Sequence, residues 1–313
     1  MLLMSLATLL QSSLQTEAVP QNVFRFIEFI LKGRRPIGVI YYGSTLWKQD
    51  LTGLLDFYIV CEDLSDWYEG KVSSLLANQM LPPNIEYYEY TEQDVSLRAK
   101  VAILSLSQLR EATGLQSIDT TMWARFCQPI KIMWSRDVDA RRDLFRCLIR
   151  AVATASWWAA YLGPKEGTSE EFWCNLFTQT YGAELRVETK NRPMSILENR
   201  EIYFNQLLKA GWFGLGISFS ETCYNQFFLE ISDTEREQAL CKWNVRKRLG
   251  RPLNIARLVK AAFTFKGGAE YLAWKIKRHQ GIELNLTSFQ KRHPLVSAPW
   301  ILIKLYRQGV FKR

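Results

Sequence analysis

YYGSTLWKQDLTGLLDFYIV, residues 41–60, is the stretch on which the fold turns. It begins on the end of a β-branched and aromatic run, 37–42 (IGVIYY), a composition that favours a buried strand. Gly43-Ser44 closes that run and a polar turn is expected after it. Residues 54–61 (LLDFYIVC) then read as a second strand. A strand ending in Gly-Ser has a physical use. Glycine lets the backbone turn tightly and approach a phosphate without a Cβ. The neighbouring N–H groups and the Ser44 hydroxyl can donate to phosphate oxygens. Asp56 stands among Leu54, Leu55, Phe57, Tyr58, Ile59 and Val60. A carboxylate left unpaired in such surroundings costs on the order of 3–5 kcal/mol. It needs a metal, a cation or an open mouth of the sheet, and it can hold Mg²⁺. Gly43 and Ser44 are therefore candidate nucleotide-binding residues, with the adjoining Tyr42 and Lys48 as weaker candidates, and Asp56 is the candidate metal ligand of a triphosphate clamp.

Outward from this stretch the pattern is α/β. Residues 1–34 read as helical, with apolar positions at Val23, Phe24, Ile27, Ile30 and Leu31, and Arg34-Arg35-Pro36 ends them. Residues 67–80 read as a helix stopped by Leu81-Pro82-Pro83. Residues 85–90 (IEYYEY) and 98–106 (RAKVAILSL) suit a strand pair, with Ser105 or Ser107 capping the next helix. A helix over 120–126 and a last strand over 130–134 (IKIMW) complete this part. From residue 137 the texture is helical. A long pattern over 139–162, with Leu144, Leu148, Ala151, Ala155 and Trp158 on one face, ends at Gly163-Pro164. Further helices are expected over 172–180 and 203–208, separated by a polar connector beginning at Arg192-Pro193. Residues 254–265 and 269–278 suit helices broken by Gly267-Gly268, and an apolar-basic segment, 300–313, ends the chain. The spacing divides the chain into 1–136, 137–245 and 246–313.

Composition narrows the classes. A 48% hydrophobic chain without low-complexity runs supports a folded core, not disorder. The six cysteines include no C-x-x-C pair and there are two histidines, so a zinc cluster is not expected; scattered single cysteines suit buried thiols in a reducing compartment. No eighteen-residue uncharged apolar run is present, so no membrane-spanning helix is expected. Residues 1–10 are apolar, but the first basic residue is Arg25, which suits a packed first helix better than a signal peptide or presequence. The net charge of +9 is unevenly placed: residues 241–313 carry a balance of +15 and the rest −6. A basic block of that kind points to a polyanion such as nucleic acid, anionic lipid headgroups or a phosphorylated substrate.

Gly-Ser followed by a strand with an embedded aspartate resembles the nucleotidyltransferase superfamily of polymerase β type, whose strand has the form Asp-hydrophobic-Asp. Here Leu54 replaces the first aspartate, a departure similar to the mitochondrial-type phosphatidate cytidylyltransferases (the translocator assembly and maintenance protein family) and their bacterial relatives. That family has a Tyr-Gly-Ser turn, a following Gln and a lone Asp before Phe, matched here by Tyr42-Gly43-Ser44, Gln49 and Asp56-Phe57. Tyr87-Tyr88, the strand from Lys100 to Ser105, Gln128-Pro129-Ile130-Lys131-Ile132, and Glu170-Glu171 followed by Tyr181-Gly182-Ala183-Glu184-Leu185-Arg186 resemble its later motifs in order. The family's Gly in the Lys strand is replaced near Val101-Ala102, and its Asp by Glu184, which puts the acceptor more in question than the chemistry. The resemblance implies a polymerase β-like α/β domain with a mixed sheet, then a mainly α-helical domain and a basic helical tail. It implies CTP and phosphatidate as substrates, Mg²⁺ as cofactor and CDP-diacylglycerol as product, with Asp56 and Lys100 catalytic and no nucleic acid expected.

A second metal-ligating carboxylate would come from Asp50 or Asp94, each also readable as a plain turn residue. Phosphatidate sits in a membrane, so the tail gains a role: Lys266, Trp274, Lys275, Lys277, Arg278, Trp300, Lys304 and Arg307 are candidate contacts to an anionic surface. The bland alternative is an amphipathic helix whose apolar face is core. A peripheral location on the cytoplasmic side of the inner membrane, or the matrix side of the mitochondrial inner membrane, is implied, with no obligate protein partner. Two other readings stand beside this one. Arg246-Lys247-Arg248 suits phosphates of RNA, and the missing aspartate at 54 suits an inactive nucleotidyltransferase fold that binds a partner.

Overall fold

A computed structural model describes residues 5–15, 18–48, 50–92, 95–184, 192–222, 226–271 and 273–274, with 287 and 290. Two helices, α1 (Leu6–Gln15) and α2 (Gln21–Leu31), come first. Pro20 caps the second, so the single helical segment expected over 1–34 is two. β1 (Gly38–Tyr42), the short α3 (Ser44–Lys48) and β2 (Leu54–Cys61) follow. The turn expected after Gly43 is thus partly helical. Next come α4 (Ser65–Tyr68) and α5 (Val72–Met80), divided where Glu69 and Gly70 both adopt positive φ. β3 (Asn84–Glu92), β4 (Val95–Ser105), α6 (Leu106–Ala112), α7 (Thr121–Phe126) and β5 (Ile130–Ser135) complete the first part. Ser105 caps α6 through a reciprocal box with Gln108.

The five strands form one mixed sheet in the order β3-β4-β2-β1-β5. β2 is parallel to β4, and the other three pairings are antiparallel. The period-2 alternation of β2 sorts its side chains between two apolar clusters. Leu55, Phe57 and Ile59 pack with Val23, Phe26, Ile27 and Ile30 of α2. Tyr58 and Val60 join Ile40, Tyr42 and the helices of the second half. Asp56 shares the parity of Tyr58 and Val60, so it belongs to the helix-facing side, close to the start of its strand.

The second half is built around α8 (Val138–Leu162), capped by Asp137, whose carboxylate accepts from the Ala140 N–H at 2.7 Å. Leu144, Leu148, Ala151, Ala155 and Trp158 are buried, as the 3.6-residue spacing requires. β6 (Glu166–Thr168), α9 (Ser169–Ala183), α10 (Arg192–Leu197), α11 (Glu201–Leu215), β7 (Phe219–Glu221), β8 (Gln226–Leu229) and α12 (Asp233–Thr264) follow. The small sheet β6-β8-β7 was not legible in the sequence. The connector expected at Arg192-Pro193 is instead α10, with Pro193 in its first turn, where a missing N–H is tolerated. α12 runs unbroken through residue 245 and Pro252, so the boundary drawn between 245 and 246 falls inside a helix. Gly250 allows this close packing: a Cβ there would stand 2.4 Å from the Ala183 carbonyl oxygen of α9.

Candidate functional site

The two strands that flank the Gly-Ser turn place its chemistry. β1 and β2 are antiparallel with Tyr42 opposite Asp56. Gly43, the next residue, turns the chain at φ +91°, a conformation that costs an L-residue about 1–2 kcal/mol. A Cβ at Gly43 would stand 3.1 Å from Oδ2 of Asp56, so the carboxylate lies against the turn itself. Ser44 is exposed at the start of α3 and Asp56 is half-buried. The carboxylate is therefore not sealed in the apolar interior that surrounds it in sequence. Burial first, then Tyr58 and the Asp56 charge, push the Tyr42 hydroxyl well above its ordinary value, so it stays a neutral donor.

β4 lies parallel to β2 with Lys100 in register with Asp56, and β3 places Tyr87 opposite Lys100. Adjacent strands lie about 4.8 Å apart, so the acid and the lysine are neighbours on one face. Lys48 is outside this group: it is exposed, its ammonium 5.2 Å from the Trp47 ring centroid. Asp50 is exposed too, and its Oδ1 accepts from the Thr52 N–H at 3.0 Å and from Thr52 Oγ1 at 2.6 Å, closing an Asx turn. Among the described residues no group of three or more His, Cys, Asp or Glu could hold a metal ion. Asp94 and Gln49 lie outside the described residues. One half-buried carboxylate beside an exposed hydroxyl still fits Mg²⁺, which keeps several waters and takes substrate phosphates as ligands.

A cleft of about 190 Å³ opens beside Tyr42, Tyr58 and Lys100, between the sheet face and α7, α9 and α12. Arg125 of α7 lines it, donating to the Tyr58 hydroxyl at 3.0 Å. Arg257 and Lys260 line it from α12. Arg257 pairs with Asp119 at 2.7 Å, and Lys260 donates to the carbonyls of Leu81 and Pro83 at 2.5 and 2.6 Å. Burial pushes the Asp119 carboxyl up, but Arg257 and the Thr121 hydrogen bonds outweigh it and hold it below its ordinary value. Burial, helped by Arg257, pulls Lys260 down to about 8. Glu184, at the end of α9, accepts from the Thr120 hydroxyl at 2.6 Å and also faces the cleft. Sequence reasoning missed Arg125, Arg257 and Lys260 as site residues. The one available signal was a lone cation in the apolar helix TMWARF.

The segment after α12 reaches the site's rim. The Tyr87 N–H donates to the Lys266 carbonyl at 2.8 Å, extending the β3 edge by one bridge. The Lys266 ammonium lies 3.5 Å from Glu86, which also accepts from the Trp67 indole N–H and the Tyr88 hydroxyl. The Tyr271 ring stands 5.7 Å from that of Tyr87. Burial first and then the Asp56 charge raise its hydroxyl above the ordinary tyrosine value. Trp274 packs near Tyr271 at 6.3 Å, with the Arg98 guanidinium 6.0 Å from its ring centroid. Lys275, Lys277, Arg278, Trp300, Lys304 and Arg307 lie outside the described residues. Arg246 is buried: its guanidinium donates to the carbonyls of Leu115, Ser117 and Lys242 and stacks 4.5 Å over the Trp158 ring. That corrects its reading as a phosphate contact for RNA, because its donors are already engaged inside the fold. Glu171 likewise closes the cap of α9 with Thr168. Among the described residues no helix is long and apolar enough to cross a membrane.

No protein-family model matches the chain, and no curated protein matches it. A solved structure of a nucleotidyltransferase-like protein from Exiguobacterium sibiricum is similar over 92% of this chain and 91% of its own, at 12% identity and a TM-score of 0.25. At those values the fold and the chemistry rest on the chain's own geometry: a mixed five-stranded sheet, a helical second half, and an acid against a glycine turn beside a cationic cleft.

Proposed function

We propose that this chain is a Mg²⁺-dependent nucleotidyltransferase that moves CMP from CTP to the phosphate of phosphatidate, giving CDP-diacylglycerol and pyrophosphate. The observation that supports it most is the approach of the Asp56 carboxylate to the Gly43 turn, 3.1 Å from where a Cβ would stand. The base and the acceptor come from the family resemblance of the sequence. In the reaction an acceptor phosphate oxygen attacks the α-phosphorus in line, a new P–O bond forms, and the bond to the β-phosphate oxygen breaks. No covalent enzyme intermediate is required, so the protein's work is positioning and charge stabilisation. The Gly43 and Ser44 backbone and hydroxyl hold the triphosphate. Asp56 with Ser44 would hold Mg²⁺, which when bound neutralises charge shed toward pyrophosphate. Lys100, in register with Asp56, supplies a fixed cation to the same phosphates. The basic chain beyond α12 docks the enzyme peripherally on the anionic membrane that holds its acceptor.

A binding protein without activity is the second reading, favoured by Leu54 standing where the superfamily strand carries its first aspartate. Incubation with α-labelled CTP, Mg²⁺ and phosphatidate vesicles separates the readings. Label extractable into organic solvent supports the proposal. Acid-precipitable label with added RNA would move the acceptor to nucleic acid, and no pyrophosphate with any of the four nucleotides would favour the binder.

A further inference from the structure

The cleft beside Lys100 holds more cationic donors than the fold uses. An arginine carries five N–H donors and a lysine three. Among the described residues Arg125 spends one, on the Tyr58 hydroxyl, although it is half-buried. Lys260 spends two, on the Leu81 and Pro83 carbonyls, and among the described residues it has no ion pair with a carboxylate. Leaving charged donors idle in a partly desolvated wall is costly unless a ligand completes them. Arg257 is already paired with Asp119 and donates to the Pro82 carbonyl, so it is not counted among the idle donors.

We infer that this cleft is a pocket for one phosphate group, gripped by Arg125 and Lys260 with Lys100 at its inner edge. The three cations arrive from separate elements, α7, α12 and β4, and converge on a cleft also lined by the Tyr42 and Tyr58 rings and by two carboxylates, Asp119 paired with Arg257 and Glu184 near Arg125, so that four cations face two acids. Convergence of that kind fits an oxygen-rich dianion better than a solvated surface, where cations spread apart. Size sets the ligand's extent. At about 190 Å³ the space is below the roughly 300–1,000 Å³ of whole small-molecule sites, so it takes a phosphate head while the remainder of the molecule lies outside. Lys100 links the pocket to Asp56, which places the bound phosphate next to the reacting centre. The inference rests on the transferase reading for what the phosphate belongs to, the acceptor or the nucleotide, but not for the pocket itself.

The test is calorimetric titration of the full chain at pH 7 with inorganic phosphate, with dihexanoyl phosphatidate below its micelle concentration, and with Mg²⁺-CTP. Arg125→Gln and Lys260→Gln are compared with the parent, and melting curves without ligand report folding. Tenfold or greater weakening of phosphate and of the short-chain lipid, with Mg²⁺-CTP unchanged, assigns the pocket to the acceptor. Weakening of phosphate and Mg²⁺-CTP, with the lipid unchanged, assigns it to the nucleotide. Equal affinities in parent and variants for all three probes overturn the pocket. Arg125→Lys, which keeps the charge and loses the fork, gives an intermediate value, and it carries the test if Arg125→Gln melts early. Loss of phosphate binding in the variants of a parent that transfers no CMP would sink the transferase reading and leave the pocket standing.

Discussion

At the scale of single residues, the site depends on a carboxylate with apolar neighbours in sequence and an open neighbour in space. Gly43 supplies that opening. Gly43→Ala is expected to cost about 1–2 kcal/mol for its positive φ and to press on Asp56. Turnover should fall tenfold or more while the melting temperature falls by only a few degrees; a variant with full activity would show that the close approach does not matter. A second prediction concerns acid. The Asp119 carboxyl has a lowered folded-state value, so its contribution is present above the unfolded value and lost as pH falls through the folded one. Asp119→Asn should therefore flatten the stability profile below about pH 4, read by urea melts across pH 2.5–6. Unchanged steepness would remove the Asp119–Arg257 pair from the acid limb. Asp56 was legible because an acid inside LLDFYIVC violates a local preference, and the turn because Gly-Ser is ordinary punctuation after an apolar strand. Arg125, Arg257 and Lys260 were not, because positions over a hundred residues apart converge only through the packing of α12 on the sheet. Arg246 misled for the opposite reason: a basic triplet shows charge in sequence but not that one guanidinium turns inward.

At the scale of elements, long periodic segments declared themselves. The apolar face of α8 and the eight residues of β2 fall where composition and period put them. Strands of three or four residues, such as β6, β7 and β8, carry too few alternations to register, and their pairing is set by the helices that bring them together. The segment after α12 meets the β3 edge through backbone at Lys266 and Gly267. The φ of Gly267 is +75°, and a Cβ there would stand 2.7 Å from the Tyr87 carbonyl oxygen. Gly267→Val should detach this segment from the β3 edge. Hydrogen exchange of the Tyr87 amide should then quicken by at least tenfold; equal protection in parent and variant would show that the bridge to Lys266 is dispensable.

At the scale of the whole molecule, charge is divided along the chain: residues 1–240, which carry the acid and the turn, have a balance of −6, and residues 241–313 a balance of +15. Deleting residues 295–313 should weaken binding to vesicles containing anionic lipid, with a steep dependence on salt, and leave neutral vesicles unaffected. Equal vesicle binding by the truncated chain would move the membrane contact to another surface. The expected division near residue 136 follows a real change from sheet to helices, yet the apolar core runs across it without interruption, which composition along the chain could not reveal. The most direct test of the central claim is pyrophosphate release from CTP with Mg²⁺ and phosphatidate vesicles, measured for the parent and for Asp56→Ala. The account predicts steady release by the parent and a loss of at least a hundredfold in a variant that melts normally. Equal release by the two proteins would contradict it.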